Sequence, residues 1–381
     1  MKQTIQYKNS AIGKIPIDWE VKKIKEVVYT ASIPYKYQTK EYLNKGRFRI
    51  IDQGKSDYVG FSNDESHLIN DIPLVLFGDH TKIVKFINYP FCVGADGTKL
   101  LKSETVKNEY LFYLISQAVL KLPDLSYSRH FTELKSIHIA IPPLPEQQKI
   151  AKVLFTWDKA IQETDVIIKK IKIRNKALAN KLFLDNDKMP NQKKIMQIVD
   201  RIKNSFTPEE NTLYKQIGIR SHAKGLFYKE AVTGKSLGNK SVFWIEPNCF
   251  VVNIVFAWEQ AIGKTTDADI GFIASHRFPM YKPKEGVLNL DYLLYFFKSL
   301  KGKYLLELAS PGGAGRNKTL GQTDFLKLKI PVPSMEEQIR LVDVLNTATK
   351  ELQHYQQKLN NLKLQKKGLM QQLLTGKTRI K

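Results

Sequence analysis

Apolar residues recur at steps of three and four along two stretches of the chain. One runs Ile161, Thr164, Ile168, Ile171, Asn175, Leu178, Leu182; the other runs Leu352, Tyr355, Leu359, Leu362, Lys366, Leu369, Leu373. That is the heptad spacing of a helical seam, with polar breaks at Thr164, Asn175 and Lys366. The two stretches align without gaps at one constant offset, Glu146 on Glu337, Gln147 on Gln338, Leu154 on Leu345 and Ile168 on Leu359. Pro142, Pro143 and Pro145 precede the first, and Pro331 and Pro333 the second; they end an apolar run and exclude a helix interior. Ser334 and Glu337 have the spacing of a capping box. A single amphipathic helix either covers its own domain or pairs with its like. The duplicated heptads favour an antiparallel coiled coil, with Ile161, Ile168, Ile171, Leu178 and Leu182 on one side. Leu352, Leu359, Leu362, Leu369 and Leu373 lie on the other. A helix from about 146 to 184 is about 58 Å long, a rod that holds two globular units apart.

Between the helices the pattern is shorter and mixed. The first unit has apolar strand-like runs at Arg47–Ile51, Pro73–Phe77 and Lys82–Ile87; the second has them at Cys249–Trp258 and Gly271–Ala274. Each unit then has an amphipathic helix of shared signature, EYLFYLISQ at 109–117 and DYLLYFFKS at 291–299. Each closes with a polar loop, SYSRHFTEL or SPGGAGRNKTL, and a strand that meets the prolines. Strands and helices do not alternate strictly, which predicts α+β domains. DNDKMPNQKK at 185–194 reads as a linker. The expected division is 1–145, first globular domain; 146–185, central helix; 186–335, second globular domain; 336–381, distal helix. The second unit has no counterpart of Ile15-Pro16-Ile17-Asp18-Trp19, so the repeat predicts circular closure, with the N-terminal segment beside the C-terminal helix.

Charge narrows the function. Sixty Lys and Arg against 37 Asp and Glu give the 381-residue chain a net charge of +23. Such a surplus suits a polyanion, nucleic acid first and an anionic membrane surface second; a lysine-rich proteome is the bland alternative. Cys92 and Cys249 fit no metal-ligand spacing and read as buried apolar side chains in a reducing compartment. The start, MKQTIQYKNSAIGKIP, has no apolar leader core, and no apolar run is long enough to span a bilayer, so a soluble cytoplasmic protein with no membrane partner is expected.

Catalytic strings fail on spacing. TGKS at 233–236 and IGKTT at 262–266 need a glycine five residues before their Gly-Lys, where Lys229 and Trp258 stand. Pro142-Pro143 lacks the flanking residues of an adenine methyltransferase motif. Asp79-His80 with Asp96 offers acid, base or metal ligands for an unrecognised nuclease. No catalytic residue and no metal ligand is therefore assigned. A scaffold whose charge serves solubility is a further alternative.

Polar turns suited to reading base edges and holding phosphates stand in both units. In the first they are Gln53 to Lys55, the turn Asp79, His80, Thr81 and Lys82, then Asp96 and Lys99, and in the last loop Tyr127, Arg129 and His130. In the second they are Arg220, His222 and Lys224, then Trp258 and Gln260, then His276 and Arg277, and in the last loop Arg316, Asn317 and Lys318.

The residues that match a known family are specific. IGKIPIDWEVKKI at 12–24, PLPEQQKIAKVL from Pro143, VPSMEEQIRLVDVL from Val332 and LLTGKTRIK at 373–381 resemble the opening, central helix, distal helix and ending of type I restriction-modification specificity subunits. FGDHTKIVKF at 77–86 with GADGTKLL at 94–101 resembles one type of target-recognition domain in that family. The resemblance implies two target-recognition domains, each reading one half of a split site in double-stranded DNA; because the two units differ in sequence, an asymmetric site is expected. It implies that the paired helices space them and dock two methyltransferase subunits, with restriction/translocase subunits completing the complex. It implies no cofactor in this chain: S-adenosylmethionine, ATP and Mg belong to the partner subunits. A methylation-only complex would use the same kind of reader.

Overall fold

A computed structural model describes residues 6–94, 96–123, 129–184, 191–238, 240–312 and 318–380. The chain forms two compact units, Met1–Asp165 with Lys358–Lys381, and Val166–Gln357. The central helix spans Leu144–Leu184 and the distal helix Met335–Leu373. Each unit therefore owns a globular α+β part and a stretch of both helices, a division that cuts across the sequence-based one.

In the first unit, a four-stranded antiparallel sheet runs in the order Tyr29–Thr30, Thr98–Lys102, Leu74–Gly78, Val84–Ile87. A second sheet places Cys92–Gly94 parallel to both Lys36–Tyr37 and Phe48–Ile51, with Gly60–Ser62 antiparallel at the edge. The helix Asn108–Val119 turns Tyr110, Leu111, Leu114 and Ile115 into a core shared with Trp19, Phe77 and Leu101. Ile150 and Leu154 of the central helix and Leu373 of the distal helix belong to the same core. Burying each such side chain contributes about 1.5–3 kcal/mol before entropy is counted.

The second unit repeats the plan with different sheets. Val199–Ile202, Met280–Pro283, Phe250–Val252 and Ile262–Lys264 form one antiparallel sheet. In the larger sheet the long strand Leu213–Arg220 lies parallel to Phe272–Ser275 and antiparallel to Gly225–Tyr228. The helix Leu290–Lys298 buries Tyr292, Leu293, Phe296 and Phe297 against Phe250, Tyr281 and Ile330. The strand expected over Cys249–Trp258 stops at Val252. Asn253 there accepts the Val255 amide on its side chain, at 3.1 Å, and the Phe256 amide on its carbonyl, also at 3.1 Å, which turns the apolar run out of the sheet.

The helix stretches run antiparallel within each unit. In the second, Arg174 pairs with Glu351 and Asn175 donates to the Ala348 carbonyl at 2.7 Å, while Leu178 and Leu182 share a core with Leu345 and Leu341. In the first, Asp158 meets Lys366 while Leu154 shares a core with Leu373. The polar breaks are thereby satisfied: Asn175 and Lys366 each find a partner, and the Thr164 hydroxyl donates to the Ala160 carbonyl at 2.7 Å. Ile168, Ile171, Leu359 and Leu373 are buried; Ile161, Leu178, Leu182, Leu352, Leu362 and Leu369 are half-buried.

The repeat also fixes how each helix starts. Gln147 is buried; it accepts the Lys107 amide at 2.9 Å and donates to the Pro142 carbonyl at 2.9 Å. Gln338 does the same with the Asn289 amide at 2.8 Å and the Pro333 carbonyl at 2.9 Å. Tyr113 donates to Asp158 at 2.6 Å, and Tyr295, at the matching place in the second unit, to Asn346 at 2.8 Å. Ser334 accepts the Glu337 amide at 3.3 Å, but the Glu337 carboxylate turns to Arg340, so the capping box is half made.

The two chain ends meet inside the first unit. Arg379 binds Asp18 at 2.7 and 2.8 Å and Glu146 at 2.6 Å, and the Trp19 indole donates to Glu146 at 3.0 Å. The Tyr7 hydroxyl donates to the Gly376 carbonyl at 3.3 Å. The N-terminal hairpin, Tyr7–Ser10 with Gly13–Pro16, leads into Glu20–Lys23, which pairs with His138–Ile141. The second unit has its own version of that last pairing: Gln192–Lys194 lies against Lys329–Pro331 and leads into a one-turn helix, Ile195–Ile198. The expected linker is therefore partly strand, and the entry missing from the second copy is confined to the hairpin and Trp19.

Candidate nucleic-acid interface

In the first unit three separate turns are tied to one residue. Gln53 follows the strand Phe48–Ile51; its side-chain amide donates to the Asp96 carbonyl at 2.7 Å and its side-chain oxygen accepts the His80 amide at 3.1 Å. Its own carbonyl accepts the Thr81 hydroxyl at 2.6 Å. Gly97, at φ +82°, sits beneath this knot; a Cβ there would lie 2.6 Å from Gln53 Nε2 and 2.7 Å from the His80 ring. Lys85 braces the same loop, donating to the Asp52 carbonyl at 2.9 Å and the Ser56 carbonyl at 2.6 Å. Burial holds its ammonium below the ordinary lysine range. Lys55, His80, Thr81, Asp96 and Arg129 are exposed on this cluster's loops; Lys82 and Lys99 are half-buried, with Lys99 Nζ 5.8 Å over the Phe131 ring.

Two expected readers face inward. Asp79 is 4% exposed; it accepts the Phe131 amide on its carboxylate at 2.8 Å and the His130 amide on its carbonyl at 2.9 Å, while its own amide donates to Gly97. It thus caps the helix Phe131–Ser136 from across the domain. His130 is 2% exposed at the head of that helix. Neither offers an edge to a groove, and the pairing of Asp79 with His80 as acid and base is undone by the same burial.

The second unit gathers its turns through backbone bonds. The hairpin tip after Leu213–Arg220 docks on a 3₁₀ turn, with the His222 amide on the Glu259 carbonyl at 2.7 Å and the Ala223 amide on that of Gln260 at 2.8 Å. Ile254 joins the other two turns, donating to the Arg277 carbonyl at 3.0 Å and accepting from the Leu320 amide at 2.8 Å. Lys318 lies 5.6 Å over the Trp258 ring, and Arg220 5.1 Å over that of Phe227. Gln260 donates its side chain to the Phe297 carbonyl at 2.8 Å, so it braces the turn rather than facing outward. Arg316 and Asn317, with Tyr127 of the first unit, lie outside the described residues.

Electrostatics and strain mark both clusters. Among the described residues, Lys55, Arg220, Lys224 and Arg277 are exposed with no carboxylate partner, and His222 and His276 are exposed beside them. Uncompensated cations on a domain surface are what phosphate contact requires. Four described non-glycine residues at positive φ, Lys82, His222, Ala223 and Gln260, lie in these turns. Each costs about 1–2 kcal/mol, strain of the kind that persists at functional sites. Sequence reading missed Lys85 and the exposed Phe256 beside Trp258; the signal for Lys85 was a lone cation inside the apolar run Val84–Ile87. Among the described residues no group of three His, Cys, Asp or Glu is placed to hold a metal, and no helix is long and apolar enough to cross a membrane.

Comparison with known proteins bears on this geometry. The family model "Type I restriction modification DNA specificity domain" matches residues 16–173 and 242–364. A chain of Methanocaldococcus jannaschii provisionally named the MjaX type I restriction enzyme specificity subunit is 26% identical over 423 aligned positions, covering 98% of this chain and 97% of that one. The MjaVIII specificity subunit of the same organism is 24% identical, covering 97% and 95%. Among solved structures, the type I restriction-modification S subunit of M. genitalium has a TM-score of 0.55 at 13% identity, covering 94% of this chain and 96% of that one. A chain from a structure on complex assembly and conformational transition of the type I R-M system has a TM-score of 0.59 at 13% identity, covering 96% and 99%. These two likenesses are of fold.

Proposed function

Because the chain belongs to the family of type I restriction-modification DNA specificity subunits, we propose that its two units each read one half of a split, asymmetric site in double-stranded DNA. The chain is the non-catalytic, DNA-recognition member of such a system. The observation that supports the proposal is that each unit carries its own cluster of polar turns. Each unit gathers three or more distant turns into one cluster of exposed cations and polar side chains, and the turn residues differ between the two clusters. Different side chains at the two clusters call for different half-sites. The paired helix stretches set the unspecified gap between the half-sites and dock two methyltransferase subunits. Those subunits supply S-adenosylmethionine-dependent adenine methylation, and restriction/translocase subunits supply ATP- and Mg-dependent cleavage.

The test is a methylome. The chain is co-expressed with the methyltransferase encoded beside it in a methylation-free host, and modified adenines are mapped genome-wide. One split motif with a fixed gap, lost when the chain is omitted, is the expected result. A soluble complex that adds no methylation, or methylation at an unsplit site, overturns the proposal.

A further inference from the structure

Arg49 stands out among the arginines of the first unit. It is exposed on the strand Phe48–Ile51, and its guanidinium carbon lies over two tyrosine rings, 5.4 Å from the centroid of Tyr58 and 5.2 Å from that of Tyr89. Among the described residues its guanidinium has no carboxylate and no hydrogen-bond partner. Arg47, two residues back, differs: it has Glu65 at 3.7 Å. An exposed arginine ordinarily samples many rotamers and loses that freedom on binding. Two rings beside its carbon remove part of that cost in advance, and a cation–π contact spends none of the guanidinium's N–H donors.

Position completes the case. Arg49 lies four residues before Gln53, at most about 14 Å away along an extended strand. That separation is about four base-pair steps, so Arg49 and the Gln53 knot fit one half-site. Lys85 braces the chain at Asp52, between them, and at Ser56, just beyond Gln53. A planar fork of donors with restricted freedom matches the O6 and N7 acceptors of guanine in the major groove, the commonest specific contact of arginine with a base.

We propose that Arg49, held over Tyr58 and Tyr89, is a specificity-determining residue of the first unit that reads a guanine in its half-site. This rests on the proposed function. The experiment uses the complex of the full chain with its methyltransferase subunits, and measures methylation of a DNA pool randomised across both half-sites. Wild type is compared with Arg49→Lys, which keeps the charge but not the fork, and with Tyr58→Leu, which removes a ring and leaves the arginine. For Arg49→Lys, preference for guanine at one position of one half-site is expected to fall about 5- to 150-fold, with the other half-site unchanged. Tyr58→Leu is expected to relax the same position less. Unchanged selection by Arg49→Lys, or a uniform loss across all sequences, overturns the inference while leaving the proposed function standing. A wild-type complex that selects no sequence overturns both.

Discussion

The closure between the chain ends turns on one guanidinium, that of Arg379, and Arg379→Ala is the sharpest perturbation of it. Glu146 is 6% exposed and holds two partners, Arg379 and the Trp19 indole. The carboxylates of Glu146 and Asp18 in turn push the Arg379 guanidinium further above its ordinary value. Deleting one member of a buried ion pair costs about 3–5 kcal/mol, because the other charge is left desolvated. Asp18 is near half exposed, so its share is screened and the total is discounted to about 2–3 kcal/mol. For a unit of this size that is a fall of about 5–10 °C in Tm. Glu146→Gln on top of Arg379→Ala removes the stranded charge, keeps an acceptor for the indole, and is expected to restore about half the loss. The assay is thermal unfolding of the single and double variants, with hydrogen exchange of peptides from 6–24 to localise the effect. A loss under about 0.5 kcal/mol for Arg379→Ala, or a double variant no better than the single one, refutes the reasoning.

Gln147→Ala strands the part-buried Lys107 amide and the buried Pro142 carbonyl, and Gln338→Ala the part-buried Asn289 amide and Pro333 carbonyl; each is expected to cost about 1–2 kcal/mol in its own unit by denaturant titration. Lys55→Ala is expected to weaken binding to all DNA sequences alike and to lower the salt slope by about 1, measured by titration at several salt concentrations. Asp79→Ala, by contrast, is expected to cost about 1–2 kcal/mol of stability through the lost helix cap, read by thermal unfolding of the variant without DNA. Arg174 holds the Glu351 carboxyl below its ordinary 4.5, so this pair stabilises the fold above that value and ceases to as pH falls through the lowered one. The Tm gap between wild type and Arg174→Ala is therefore expected to hold at neutral pH and to close as pH falls below 4.5.

The helix pair was legible because repetition makes it so: two copies in register leave little choice of seam, and even the polar breaks Asn175 and Lys366 fall at matching places. The turns of the candidate interface were legible as polar punctuation between apolar runs, and the structure draws them together around Gln53 and Ile254. The direction in which each side chain faces was not. Asp79 and His130 are residue types that suit a groove and a buried helix cap equally, and only burial separates the two roles. Glu146 and Glu337 occupy the same place in the repeat, yet one is buried against Arg379 and the other pairs with Arg340 at the surface, because the partner of the first comes from the far end of the chain. Gln192–Lys194 ends a polar stretch with the composition of a linker, and since all three of its residues are exposed the strand leaves no alternation to detect.

The clasp at the chain ends also orders events during synthesis. Val166–Gln357 is continuous, so the second unit can fold as soon as it has left the ribosome. The first unit is begun earlier but waits for Arg379, 361 positions beyond its partner Asp18. At translation rates of about 5–20 residues per second that delay is about 20–70 s; Glu146, 233 positions before Arg379, waits for its cation for about 12–47 s of it. The unit made first is therefore finished last, and its closure waits on residues made after the whole of the second unit.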